Sequence, residues 1–400
     1  MNLAIFRIVF KEGLILAGVL FAAPFFYLAI WLKKISAKPG GPKKILIIDN
    51  AKIGDLICAT PVFRSLKANF PDSHLTVLVI PRVREILQHN PRIDQLITHS
   101  FNKKKNLSDV WGLIKKVSQE KFSICLNLNP GTLNFILPFV AAIPLRITTI
   151  SKESGFFSNL LAALLCTYRL TLQKEALSVR HYLDLLKFIG ITENNLKKEV
   201  FVDEASVKKA ARFLAERGII KEDLVVGFCL SAGNKFKEWG VTNFAELARL
   251  IAANFGYKII AVGEPKDKPM LEEFRELVGS AAIITCEDFS LGEVPALFKR
   301  FDYFISADTG PLYIANALDV PVIDILGPCS MLAQPPIYEK CEAVHVNNLS
   351  CWPCSNGLDS VSSCRLGHLR CVKEISPEFV LASFEKLMKK YPQITQSHDF

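Results

Sequence analysis

Apolar positions along this chain alternate between two patterns. Short β-branched runs read as buried strands, and the segments between them carry apolar residues every three to four positions, as helices do. The first such series predicts a strand over 43–49 (KKILIID), a helix from Asp55 to Phe70 stopped by Pro71-Asp72, and a strand over 75–80. A helix over 83–89, a strand over 94–98, a helix over 107–119 and a strand over 122–128 continue it. Residues 132–172 are apolar throughout and predict a helix near 132–142, a short strand near 145–149 and a helix near 156–168. SVRHYLDLLKFIG at 178–190 reads as an amphipathic helix ending at Gly190, and the charged residues 191–223 read as a connection. A second series follows, with strands over 224–230, 257–263 and 282–286 and helices over 242–255, 268–278 and 290–300. Residues 303–328 then read strand, sharp turn at Asp308-Thr309-Gly310-Pro311, short helix, strand. The stretch 329–372 is irregular and Cys-rich, 376–390 is a basic helix, and the tail is polar. Such alternation predicts βαβ units in parallel sheets, here two doubly wound α/β halves facing a ligand cleft.

Ahead of both series, residues 13–32 hold 20 positions without a charge, long enough to span a hydrocarbon core. Arg7, Lys11 and Glu12 precede the stretch, and Lys33, Lys34, Lys38, Lys43 and Lys44 follow it. The positive excess after the stretch places the main body in the cytoplasm, so the expected location is the cytoplasmic face of the inner membrane. A re-entrant or interfacial helix is the alternative. The chain thus divides into an anchor and linker (1–42), a first α/β domain (43–200), a second (201–375) and a C-terminal helix and tail (376–400).

The formal net charge is +9, which suits an anionic membrane surface or an anionic substrate. No basic run with interleaved aromatics and no finger spacing points to nucleic acid. Eleven Cys, an odd number, argue against a disulfide scaffold and for a reducing compartment. Cys58, Cys125, Cys166, Cys229 and Cys286 fall in or beside core elements and read as packing residues.

Five places could carry chemistry. The turn at 308–310 ends a strand and opens a helix, where free amides suit a phosphate. Asp55 stands at the first helix start after Asn50-Ala51-Lys52-Ile53-Gly54, as a general base or simply a helix cap. The loop Ser231-Ala232-Gly233-Asn234-Lys235-Phe236-Lys237-Glu238-Trp239 pairs small residues with Lys, as a phosphate site or a solvated basic loop. Glu264 ends a strand, where it could accept hydrogen bonds from a ribose or a base, or be a solvated surface carboxylate. Cys351, Cys354, Cys364 and Cys371, with His368 among them, could hold structural zinc or an iron–sulfur cluster, or be buried or redox thiols. No Asp-x-Asp and no GxGxxG after a strand occurs, so neither a metal-bridged diphosphate nor a dinucleotide fingerprint is indicated.

KILIIDNAKIGDLICATPVFRSLKANFPDSHLTVLV, SAGNKFKEWGVTNFAELARLI, ISADTGPLYIANALDVPVIDILGP and the late CxxC with GHLRC together resemble glycosyltransferase family 9, the lipopolysaccharide heptosyltransferases. The resemblance implies a GT-B fold. It implies inverting transfer of a sugar from a nucleotide-diphosphate donor, typically ADP-heptose, to a lipid-linked glycan acceptor, with no cofactor required for transfer. By the same resemblance Asp55 matches a proposed general base. Lys237 matches a Lys that contacts the donor phosphates, and Asp308, Thr309 and Gly310 match the donor turn. Glu264 matches an acidic residue that binds the nucleoside. Ser231, Gly233 and Asn234 lie in the nucleotide loop. Where the family often carries His, three residues after Gly310, this chain has Tyr313, which can hydrogen-bond but carries no positive charge near neutral pH. The expected partners are the nucleotide sugar, the glycan acceptor and inner-membrane lipid. Two rival readings remain at this stage: a catalytically weak, membrane-tethered sugar-nucleotide or glycan-binding protein, and a GT-B sugar-nucleotide epimerase.

Overall fold

The computed structural model describes residues 3–35, 41–100, 107–173, 177–330, 340–354 and 363–392. Most of the expected linker, the polar tail and part of the Cys-rich stretch lie outside the described residues.

Two six-stranded parallel sheets form the molecule. The first holds β1 (Lys44–Asp49), β2 (His74–Val79), β3 (Gln95–Thr98), β4 (Ile124–Asn127), β5 (Leu145–Ile150) and β6 (Tyr168–Thr171), ordered β3-β2-β1-β4-β5-β6. The second holds β7 (Val225–Cys229), β8 (Lys258–Val262), β9 (Ala282–Thr285), β10 (Tyr303–Ala307), β11 (Val322–Ile325) and β12 (Cys341–Val344), ordered β12-β11-β10-β7-β8-β9. Each order reverses once, between β1 and β4 and between β7 and β10. Those reversals are the switch points where open α/β sheets bind ligands, beyond the carboxyl ends of the strands. Central strands such as Ile45–Ile48 and Val225–Phe228 are buried on both faces, which accounts for their unbroken apolar sequence.

The carboxyl ends of the two sheets face each other, as in the GT-B architecture. The helix Ile53–Asn69 after β1 packs on the helix Gly310–Ala317 after β10, and one core runs across the junction. Leu56, Ile57 and Cys58 share it with Leu312, Tyr313, Ile314 and Ala315. The connecting segment is fastened to the first domain: Arg64 donates to the carbonyls of Asn195 and Lys197, both at 2.7 Å, and Arg92 Nε pairs with Glu199 at 2.8 Å.

Three elements differ from the sequence reading. Residues 168–171 form an edge strand, not a helix end, and 341–344 form another edge strand inside the stretch read as irregular. Within the charged connection, Glu204–Glu216 is a helix whose Asp203 side chain accepts from the Ser206 amide at 2.8 Å. It buries Ala210, Phe213 and Leu214 on one face, and its exposed charges masked that face. The C-terminal helix Pro377–Lys390 packs Val380, Phe384 and Leu387 into the second core. At the other end, the apolar stretch lies inside a longer helix, Leu3–Ile35.

Candidate functional site

The site is built where β1 and β10 end opposite each other. Ile53 and Gly54 open the first helix, and Gly310 opens the other. A Cβ on Gly54 would lie 3.0 Å from the Tyr313 ring, and one on Gly310 would lie 3.0 Å from Ile53 Cβ. Glycine at both positions is what lets the two helix starts meet. Asp55 lies in the first turn of its helix, half-buried, and Lys52 is the residue that flanks the helix start. The Asp55 carboxylate is felt by Asp49, Cys58 and Tyr182 around it.

Across the junction, Asp308 is the hub. Its Oδ2 pairs with Lys237 Nζ at 2.8 Å, and its Oδ1 accepts from the Tyr313 hydroxyl at 2.8 Å. Lys237 also donates to the Asp308 carbonyl at 3.3 Å. Burial by itself disfavours the ammonium, but the Asp308 carboxylate and the neighbouring Cys329 outweigh it and hold the Lys237 pKa above its ordinary value. Lys237 is therefore a fixed, permanently charged cation. The Tyr313 hydroxyl is pushed far up by burial and then by Asp308, so it is a neutral donor across the working range of pH.

Two details of the turn differ from the sequence reading. Pro311 has no amide hydrogen, and the Leu312 amide is already bonded to the Thr309 carbonyl at 3.1 Å. The turn offers fewer free amides than an ordinary helix start. Thr309 leaves its hydroxyl out of the helix cap.

Ser231, Asn234 and Glu264 do not join this hub. The Ser231 hydroxyl donates to Asp267 Oδ2 at 2.8 Å, and Asn234 Oδ1 accepts from the Phe236 amide at 3.2 Å. Gly233 has open space where a side chain would stand. Glu264 pairs with Lys266 at 2.8 Å and, across the cleft, with Arg82 of the 3-10 helix Pro81–Leu87 that follows β2. The ends of β7 and β8 thus form a second polar group beside the first.

The four late thiols lie near one another but outside the cleft. Burial and then Cys351 and Cys364 raise the Cys354 thiol, while backbone amides of residues 366–369 hold Cys364 below its ordinary value. Cys351 Sγ is 3.9 Å from His368 Nε2. Among the described residues no group of three or more His, Cys, Asp or Glu side chains is arranged to hold a metal ion. The segment is held to the residues just after β11: Trp352 Nε1 donates to the Gly327 carbonyl at 2.9 Å and the Cys354 amide to the Pro328 carbonyl at 3.1 Å.

Three buried charges at the site escaped the sequence reading. Asp49, the last residue of β1, is fully buried. Its pKa is pushed up to about 7 by burial, with Asp55 adding and the Ala51 amide opposing. Asp324 in β11 is fully buried, and neither carboxyl oxygen has a hydrogen-bond partner among the described residues. Burial and Asp308 raise its pKa far above the carboxylate range, against Lys237 and Lys198. Lys198, from the connection, is buried with its Nζ 5.4 Å from the Tyr313 ring centroid, and burial lowers its pKa. An Asp closing or interrupting a β-branched run was the available signal for the first two. Nothing in LKKEV marks Lys198 as buried.

A sequence model described as glycosyltransferase family 9 (heptosyltransferase) matches residues 110–364. The chain is similar to lipopolysaccharide heptosyltransferase 2 of Salmonella typhimurium, 24% identical over 315 residues, covering 76% of this chain and 88% of that protein. It is also similar to lipopolysaccharide heptosyltransferase 3 of Escherichia coli K12, 26% identical over 344 residues, covering 84% and 95%. Of solved structures, the family 9 glycosyl transferase of Veillonella parvula superposes with a TM-score of 0.74 at 23% identity, covering 87% of this chain and 98% of that one. The E. coli ADP-heptose lipopolysaccharide heptosyltransferase II superposes with a TM-score of 0.69 at 20% identity, covering 87% and 99%. These superpositions establish the GT-B fold, and the match over more than half its length establishes that this chain belongs to glycosyltransferase family 9 and is a glycosyltransferase.

Proposed function

We propose that the protein transfers a heptose from ADP-heptose to a lipid-linked glycan acceptor, with inversion at the anomeric carbon, at the cytoplasmic face of the inner membrane. The observation that carries this reading is the fixed Lys237–Asp308–Tyr313 network at one switch point, touching the helix start that bears Asp55 at the other. The E. coli heptosyltransferase II that superposes on this chain is described as an ADP-heptose enzyme, and this supports a nucleotide-diphosphate sugar as donor.

In the proposed reaction the diphosphate lies against Lys237 and the turn at 308–310. The acceptor hydroxyl approaches from the side of Asp55. Its oxygen forms the new bond to the anomeric carbon as the bond to the diphosphate oxygen breaks, and that electron pair leaves with the diphosphate. Asp55 takes the hydroxyl proton. An aspartate is a weak base, so the proton moves late, as the attacking oxygen acidifies in the transition state. Lys237 meets the charge that develops on the leaving group. Asp308 holds that ammonium in place beforehand, so little reorganisation is needed during the reaction.

The test is an assay with ADP-heptose and a heptose-deficient lipopolysaccharide core, with the product's anomeric configuration read by NMR. Product with the anomeric configuration opposite to the donor, formed only with both substrates present, supports the proposal. Retained configuration overturns the inversion, and free sugar released without acceptor places the site with epimerases or hydrolases.

A further inference from the structure

The proposal above takes the apolar N-terminal helix as a membrane anchor, and the way that helix is docked says more. Leu16, Val19, Ala23, Phe26 and Ile30 recur at three- and four-residue spacing, one stripe of a helix. The stripe packs on Phe135, Phe139, Ala142, Leu161, Ala162 and Leu165 of the first domain. The Phe26 and Tyr27 rings meet Phe139 edge-on at 5.6 and 5.1 Å. The Tyr27 hydroxyl donates to the Leu164 carbonyl, and Lys33 Nζ donates to the carbonyls of Ala141 and Ala142 at 3.1 and 3.0 Å. From Leu16 to Lys33 that is about 26 Å of helix laid lengthwise on the domain.

A bilayer crossing needs about 20 residues surrounded by lipid or by other spanning segments. Here the stretch of that length, Leu16–Ile35, has one stripe seated on the first domain, with Ile30 buried and Leu16, Val19, Ala23 and Phe26 partly buried against it. Carrying it through the bilayer in this pose would drag the helices Thr132–Val140 and Phe156–Leu165 in with it. The other face of the N-terminal helix is open. Phe21 is 91% exposed, and Leu20, Phe25, Leu28, Trp31, Leu32 and Ile35 are exposed beside it. Phe156 on the neighbouring helix is 75% exposed. Lys34 on this helix, and Lys152 and Arg169 on either side of the helix Phe156–Leu165, are exposed basic residues, suited to anionic headgroups.

We infer that the N-terminal helix is monotopic: it lies in the plane of one leaflet, its Phe21/Phe25/Leu28/Trp31 face in lipid and its Leu16/Val19/Phe26/Ile30 face on the acceptor-side domain. The occupant of the exposed face is an anionic phospholipid leaflet.

The experiment uses the full chain with an epitope tag before Met1, in inner-membrane vesicles turned cytoplasmic face outward and treated with protease. The monotopic helix predicts that tag and catalytic body are digested together without detergent. A tag protected until detergent is added, with the body digested, overturns it in favour of a spanning helix. A chain that does not float with phosphatidylethanolamine–phosphatidylglycerol vesicles overturns the membrane reading itself. A second arm replaces Phe21→Asp and Phe25→Asp together. The vesicle-bound fraction should fall by about tenfold or more with an unchanged domain melting temperature, and unchanged binding contradicts the lipid-facing assignment.

Discussion

Asp49 shows how one buried side chain ties this site to pH. Its folded pKa of about 7 lies above the ordinary 3.8, so the folded state keeps a proton that the unfolded chain releases first. Stability is then fully present below the unfolded pKa and is lost as pH rises through the folded one. Denaturant midpoints should fall between about pH 4 and pH 7 for this reason, by a few kcal/mol at most. Asp49→Asn should flatten that slope and be the more stable protein at pH 8, as urea titrations across pH would measure. Tyr313 gives a second test at this scale. Tyr313→Phe leaves Asp308 Oδ1 without its buried donor and should cost about 1–3 kcal/mol, read by urea melts. Removing Lys237 strands Asp308 more severely. Lys237→Met should cost up to the roughly 3–5 kcal/mol seen for broken buried pairs and should weaken donor binding in calorimetry.

At the scale of elements, the junction of the helices Ile53–Asn69 and Gly310–Ala317 decides whether the two half-sites meet. Gly54→Val would push a branched side chain at the Tyr313 ring, already 3.0 Å from a Cβ at that position. Overpacking of this kind costs about 1–3 kcal/mol, and turnover should drop with it, measured beside the melting temperature. The central strands and the strand–turn–helix at 303–318 were legible in the sequence because doubly buried parallel strands leave an apolar, β-branched record. The edge strands β6 and β12 left none: each is four residues long and mostly half-buried or exposed. The roles of Asp55, Lys237 and Asp308 could be suspected from their places at strand ends. The burial of Lys198 could not, because its environment is created by the Tyr313 ring of the other domain.

For the whole molecule, the shared core makes the two domains one cooperative unit. Leu56 and Leu312 are fully buried in it from opposite sides. Leu312→Ala should cost about 2–5 kcal/mol, and near-UV and far-UV circular dichroism should still report one coincident transition. Two separated transitions would show that the junction is weaker than its packing indicates. The exposed cross-cleft pair Arg82–Glu264 contributes little to stability by comparison.

In the proposed reaction the helix start bearing Asp55 supplies the base and the Lys237–Asp308 turn holds the donor. The most direct measurement compares Asp55→Ala with the unaltered protein in single-turnover transfer and in calorimetric donor binding. Turnover slower by about 10²–10⁴-fold, with the donor dissociation constant essentially unchanged, is the predicted result. Near-normal turnover in Asp55→Ala would contradict the account.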